Sequence, residues 1–172
     1  FLITRMSQKQ TGSFHEDLKW CYDTVQNVSR TFAITISELA EPTSRQICVG
    51  YLLCRVADTV EDATHLSPEV QHTLLNTYQH IFDPSSTATI ESFDQAIRPW
   101  IPDDPDPDWQ VVSESQRIID TFHQLSTSAQ EAIRPGVREL TGGMALFVDR
   151  YQDEGGIRLR TIEELEEYCW YA

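Results

Sequence analysis

The sequence predicts an all-α fold, and three observations carry that expectation. No segment alternates apolar and polar residues with a period of two over a strand's length. Apolar residues instead recur at three- and four-residue spacing, as in Val70, Leu74, Leu75, Tyr78 and Ile81. Helix-start signals stand ahead of several of these runs. With 172 residues, 40% of them hydrophobic, the chain has the material for one helical bundle with a substantial core.

A first helix is expected from His15 to about Asn27, preceded by a poorly ordered segment at 1–13. In "SRTFAITISEL", Ser29 offers an N-cap. The β-branched Thr31, Ile34, Thr35 and Ile36 favour a strand locally. Phe32, Ile36 and Leu39 nonetheless share one helical face, which predicts helix. Pro42 and Thr43 break the chain, and a long helix is expected from Ser44 through Asp62. "LSPEV" restarts it, with Ser67 as cap, Pro68 at the first helical position and Glu69 in the first turn. Another helix is expected over Ile90–Trp100. "RPWIPDDPDPDW" holds four prolines and four aspartates in twelve residues, and reads as a solvated connector. Helices are then expected over Trp109–Leu125 and Thr127–Tyr151, the second with a kink at Pro135-Gly136. After the "QDEGGIRLR" loop, Thr161 and Glu164 form a capping box for a last helix.

Composition limits the function. The net charge of −14 disfavours nucleic acid as a partner, because phosphate contacts need clustered Lys and Arg. Only Lys9 and Lys19 are lysine and the other basic residues are arginine, a balance that suits a salt-loving cytoplasm and is also compatible with an ordinary acidic protein. Cys21, Cys48, Cys54 and Cys169 form no C-x-x-C pair and read as reduced thiols of a cytosolic protein. No H-E-x-x-H or paired-cysteine zinc pattern is present. No apolar run reaches the ~20 residues that span a bilayer. The chain therefore reads as soluble, with contact at a membrane surface to collect a greasy substrate left open.

One stretch carries chemistry. "YLLCRVADTVEDA" places Asp58, Glu61 and Asp62 at i, i+3 and i+4, on one helical face. Arg55 and Tyr51 extend that stripe backwards. Like charges at this spacing repel, and a divalent cation reverses the sign of that cost. Oxygen-only ligands select a hard ion such as Mg²⁺, which completes its shell with water and substrate phosphate. Spacing alone leaves two readings open: a cation site, or the acidic end of a core helix in a very acidic protein.

Three blocks resemble the squalene/phytoene synthase family, the head-to-head prenyl transferases, and look closest to its squalene synthase branch. They are "SRTFAITI" (Ser29–Ile36), "YLLCRVADTVED" (Tyr51–Asp62) and "YCWYA" (Tyr168–Ala172), with "GGMALFVDRY" (Gly142–Tyr151) a weaker fourth. The resemblance implies an isoprenoid synthase-type helical bundle with a central cavity, of which 14–172 is the N-terminal part. It implies condensation of two farnesyl diphosphates through presqualene diphosphate to squalene, with Mg²⁺ and NADPH. Asp58, Glu61 and Asp62 would bind Mg²⁺; Ser29, Arg30, Tyr51 and Arg55 would lie at the diphosphate; Phe32 would line the prenyl pocket. Tyr168 falls where the family has a tyrosine assisting ionisation and proton handling.

The family's second Asp-rich motif lies downstream of the "YCWYA" block and is absent, so the resemblance implies an incomplete enzyme, inactive alone. Phytoene or dehydrosqualene synthase is the nearest rival. A non-catalytic family member acting as a binding or assembly protein is a rival of another class, opposed by the retention of Arg55 and all three carboxylates.

Overall fold

A computed structural model describes the backbone of residues 2–171 and the side chains of residues 14–171. The side chains of 1–13, the segment expected to be poorly ordered, lie outside that description. Every regular element among the described residues is helical. The elements are α1 (Leu2–Val28), α2 (Arg30–Ser37), α3 (Thr43–Glu61), α4 (Pro68–Ile81), α5 (Ile90–Ile97), α6 (Pro107–Ser113), α7 (Ser115–His123), α8 (Thr127–Arg150) and α9 (Ile162–Tyr171). Single 3₁₀ turns follow α5 at Arg98–Trp100 and α8 at Gln152–Glu154.

α3 runs through the middle of the bundle, against α1, α2, α4, α6, α7 and α8. Its sequence explains that position. Cys48, Val49, Leu52, Leu53, Val56, Ala57, Thr59 and Val60 are buried, and a helix apolar on most of its circumference belongs among other helices. What remains is a narrow stripe through Tyr51, Arg55, Asp58 and Asp62 that the packing leaves open. Behind α3, Tyr78 packs against Phe82 and Phe93 with ring centroids 5.2 and 4.9 Å apart. Its hydroxyl donates to the Leu53 carbonyl at 3.0 Å, fixing α4 to the back of α3.

α2 is short and only Ile36 of it is buried, so its placement depends on its ends. At the start, Ser29 Oγ accepts the Phe32 N–H at 3.4 Å; such caps contribute about 1 kcal/mol. At the end, the Ser44 hydroxyl donates to the Ile36 carbonyl at 2.9 Å. The Tyr22 hydroxyl of α1 lies 3.0 Å from Ser44 Oγ and 2.9 Å from Glu41 Oε1. These bonds hold α2 along the open stripe of α3.

Four expectations change. The first helix, expected from His15, begins at Leu2. The helix expected over Trp109–Leu125 begins earlier and is divided at Glu114 into α6 and α7. The last turn before Trp100 tightens to 3₁₀ because Pro99 has no N–H for the helical ladder. The Asp-rich connector is not merely solvated: Asp106 accepts the Trp109 N–H at 2.9 Å and caps α6. α8 passes through Pro135 and Gly136 as one helix. The capping box at Thr161 forms as expected, with Glu164 N–H to Thr161 Oγ1 at 3.1 Å and Thr161 N–H to Glu164 Oε2 at 3.2 Å.

Candidate functional site

Where α2 crosses the open stripe of α3, a cleft of about 410 Å³ forms, lined by Val28, Ser29, Phe32, Tyr51, Cys54, Arg55, Asp58 and Leu140. Its two ends differ in chemistry. At one, the rings of Phe32 and Tyr51 stack with centroids 4.7 Å apart and planes at 27°. At the other, Arg55 and Asp58 present opposite charges. The helical stripe read from the sequence thus becomes an amphipathic groove once α2 adds its aromatic wall.

Arg55 is held from two sides. Its Nη1–H donates to Asp58 Oδ2 at 2.6 Å, an i,i+3 pair along α3. Its Nε–H donates to Asp108 Oδ1 at 2.9 Å, across to the first turn of α6. Burial works against its charge, but the hydrogen bond and charge of Asp108, with Asp58 beyond, keep its pKa above the usual value.

Glu61 is turned the other way, towards α9. The Tyr168 hydroxyl donates to its carboxylate, 3.2 Å from Oε2 and 3.4 Å from Oε1. Burial pushes the Glu61 carboxyl up to about 7, and the nearby Asp62 and Asp58 charges add to that, against the Tyr168 hydrogen bond. Tyr168 is pushed up to about 12, by burial and by the Glu61 charge. Asp62 is also raised, by burial and by Asp58. Asp58, Asp62, Asp106 and Asp108 line a smaller hollow beneath Arg55, of about 160 Å³. Glu61 and Asp62 line a third cavity of about 300 Å³, roofed by Tyr151, Gly155 and Gly156.

The expected site residues are therefore only partly gathered. Ser29, Phe32, Tyr51, Arg55 and Asp58 share the cleft. Arg30 begins α2 on its exposed side and does not line the cleft. Tyr168 meets the acidic stripe through Glu61 rather than through Asp58. Among the described residues, no group of three or more His, Cys, Asp or Glu side chains is arranged to hold a metal ion. Asp58 is tied to Arg55 and Glu61 to Tyr168, so the three carboxylates of the motif do not converge. Their chemistry still fits a hard divalent cation: the donors are all oxygen, and burial, with a smaller addition from the Asp62 and Asp58 charges, raises Glu61, a cost that a cation would offset.

Asp108 is the residue that sequence reasoning missed. The signal was there: Asp106 followed by Pro107 is a cap and first-position pair, which starts a helix and puts Asp108 in its first turn.

The chain is similar to known proteins. Residues 25–172 match the family model described as Squalene/phytoene synthase. Botryococcus squalene synthase from Botryococcus braunii is 34% identical over 156 residues, covering 90% of this chain and 30% of that protein. Squalene synthase from Eremothecium gossypii is 31% identical over 158 residues, covering 91% and 33%. A third relative, Inactive squalene synthase 2 from Arabidopsis thaliana, is 28% identical over 182 residues, covering 99% and 37%. The chain thus spans about a third of the length of these relatives. The solved structure of TcSQS with the ligand E5700 superposes with a TM-score of 0.70 at 24% identity, covering 91% of this chain and 40% of that one. The all-helical architecture is accordingly that of the isoprenoid synthase-type fold. The chain belongs to the squalene/phytoene synthase family.

Proposed function

We propose that this chain forms the part of a squalene synthase-like farnesyltransferase that holds a prenyl diphosphate, for condensation of two farnesyl diphosphates through presqualene diphosphate to squalene. One observation carries the reading: the cleft joins an aromatic wall, Phe32 on Tyr51, to a charged end, Arg55 with Asp58. A prenyl diphosphate has the same polarity, an apolar chain ending in concentrated negative charge.

In this reading Arg55 donates N–H groups to the diphosphate oxygens, since Nε and Nη1 engage carboxylates while Nη2 keeps two donors. Asp58, Glu61 and Asp62 would hold Mg²⁺, which supplies charge neutralisation for the leaving group. Ser29 also lines the cleft and offers a hydroxyl. Phe32 and Tyr51 wall off the apolar end, and an aromatic face stabilises an adjacent carbocation while excluding water. The Tyr168 hydroxyl, hydrogen-bonded to Glu61, is placed to hand over or hold a proton beside that carboxylate. NADPH supplies the reducing equivalents of the second step, and no described residue is assigned to it. Peripheral contact with a membrane is consistent with a farnesyl substrate; no helix among the described residues is long and apolar enough to cross a bilayer.

Product analysis tests the reading. The protein carrying this chain, given farnesyl diphosphate and Mg²⁺, should accumulate presqualene diphosphate without NADPH and squalene with it. Preferential use of the C20 diphosphate would favour phytoene synthase instead. The similarity to a relative named as inactive favours a second reading, a non-catalytic binding protein. That reading predicts binding of farnesyl diphosphate without turnover.

A further inference from the structure

The four aspartates of the connector after α5 and the first turn of α6 are not equivalent. Asp103 and Asp104 are exposed, Asp106 caps α6, and Asp108 alone crosses to α3, as the partner of Arg55 Nε. Asp108 is also well anchored. The Asp106 cap fixes the first turn of α6, and the next residue, Trp109, is buried and packs on His65 with ring centroids 5.0 Å apart. His65 in turn lies 3.0 Å from the Trp100 carbonyl across its Nε2, tying in the start of the connector. A carboxylate held this way is a fixed reference point, whereas Asp58 stands one turn from Arg55 on the same helix and belongs to the acidic stripe.

We propose that Asp108 is a positioning residue: it fixes the Arg55 guanidinium through Nε, independently of Asp58, so that Nη2 stays aimed at the diphosphate when Asp58 turns to another partner. The inference rests on the diphosphate reading of the cleft. It explains why a second carboxylate, from a different element, is committed to an arginine that Asp58 already neutralises. Two anchors on one guanidinium fix both its location and its plane, and with them the directions in which the Nη2 N–H groups point.

The sign of one measurement separates positioning from simple charge. Removing a carboxylate near an anion site should, by direct electrostatics, tighten anion binding; a carboxylate that held the cation from the hollow shared with Asp58 and Asp62 would weaken binding whichever residue stands at position 55. If Asp108 positions Arg55, its removal should loosen binding instead. Inorganic pyrophosphate with Mg²⁺ is the probe, titrated calorimetrically into this chain. Asp108→Ala should bind about tenfold more weakly, the loss expected when an ion-paired donor is no longer held. Asp108→Asn, which keeps a neutral acceptor, should fall in between. In an Arg55→Lys background, Asp108→Ala should change binding less than about twofold, because the group it positions is gone. Thermal unfolding without pyrophosphate checks that each variant folds. Equal or tighter binding by Asp108→Ala, or the same loss in the Arg55→Lys background, overturns the positioning role and leaves the diphosphate reading intact. Failure of the unaltered chain to bind pyrophosphate overturns the diphosphate reading and the inference with it.

Discussion

Three glycines of α8 offer an internal test of how the helices carrying the site are packed. Gly143 lies where Tyr171 of α9 crosses α8, and a Cβ there would overlap Tyr171 at Cβ, Cγ and Cδ1. Tyr171 Cβ is fixed to its own backbone, so ring rotation cannot clear the clash. To restore ordinary carbon–carbon contact α9 must retreat by about an ångström or more. Such overpacking costs about 1–3 kcal/mol, while replacing a helical glycine by alanine gains about 1 kcal/mol. Gly143→Ala should therefore destabilise the chain by about 1 kcal/mol net. It should also pull Tyr168 away from Glu61, whose 3.2 Å bond has little slack. Gly136→Ala is the control, since nothing lies within 4 Å of its added Cβ, and the full propensity gain should appear. Gly142→Ala should fall between, because its Cβ meets only the side-chain amide of Gln79, which can swing aside. Urea unfolding of the three variants reads these differences directly. If Gly143→Ala stabilises as much as Gly136→Ala, α9 does not dock on α8 as described, and the Tyr168–Glu61 contact loses its support.

Other consequences are quicker to check. Burial pushes the thiols of Cys21 and Cys54 up to about 12 and about 11, whereas Cys169 is exposed. A colorimetric thiol titration of the native chain should show one fast equivalent, and the slow ones should appear only on unfolding. Tyr78→Phe removes the 3.0 Å bond to the Leu53 carbonyl and should cost about 1 kcal/mol in urea unfolding, without altering the cleft. Burial, then the nearby Arg134 charge, depress His123 below the usual histidine value of 6.5. The unfolded chain therefore binds the proton first, so the contribution of His123 is present above that pH and is lost as pH falls below it. His123→Gln should flatten the melting temperature against pH relative to the unaltered chain over that range; parallel curves would contradict the assignment.

How much of the fold and the site was legible in the sequence depended on how local each signal is. The helical stripe from Tyr51 to Asp62 is a matter of spacing, so the Arg55–Asp58 pair follows from the order of residues alone. Ser29, Ser67 and Thr161 act within their own first turns, and each caps the helix it precedes. The tilt of α2 that stacks Phe32 on Tyr51 depends on bonds from Tyr22 and Ser44, far apart in sequence, and spacing carries no trace of it. The direction of Glu61 was equally hidden. It shares a helical face with Asp58, but burial against α9 and the Tyr168 hydroxyl draw it away. The Asp-rich connector misled because four prolines dominate its composition, while the one residue that matters stands just past the cap.

The proposed function requires the cleft between α2 and α3 to hold a prenyl diphosphate through Arg55 and a cation on the acidic stripe. A non-reactive thiolo analogue of farnesyl diphosphate, added to this chain with and without Mg²⁺, tests it by thermal unfolding. A ligand at one hundred times its dissociation constant stabilises by about 2.7 kcal/mol, which shifts the melting temperature measurably. The melting temperature should rise in a Mg²⁺-dependent way, and the rise should disappear in the Asp58→Asn, Asp62→Asn double variant. An equal rise in that variant, or one indifferent to Mg²⁺, would contradict the claim.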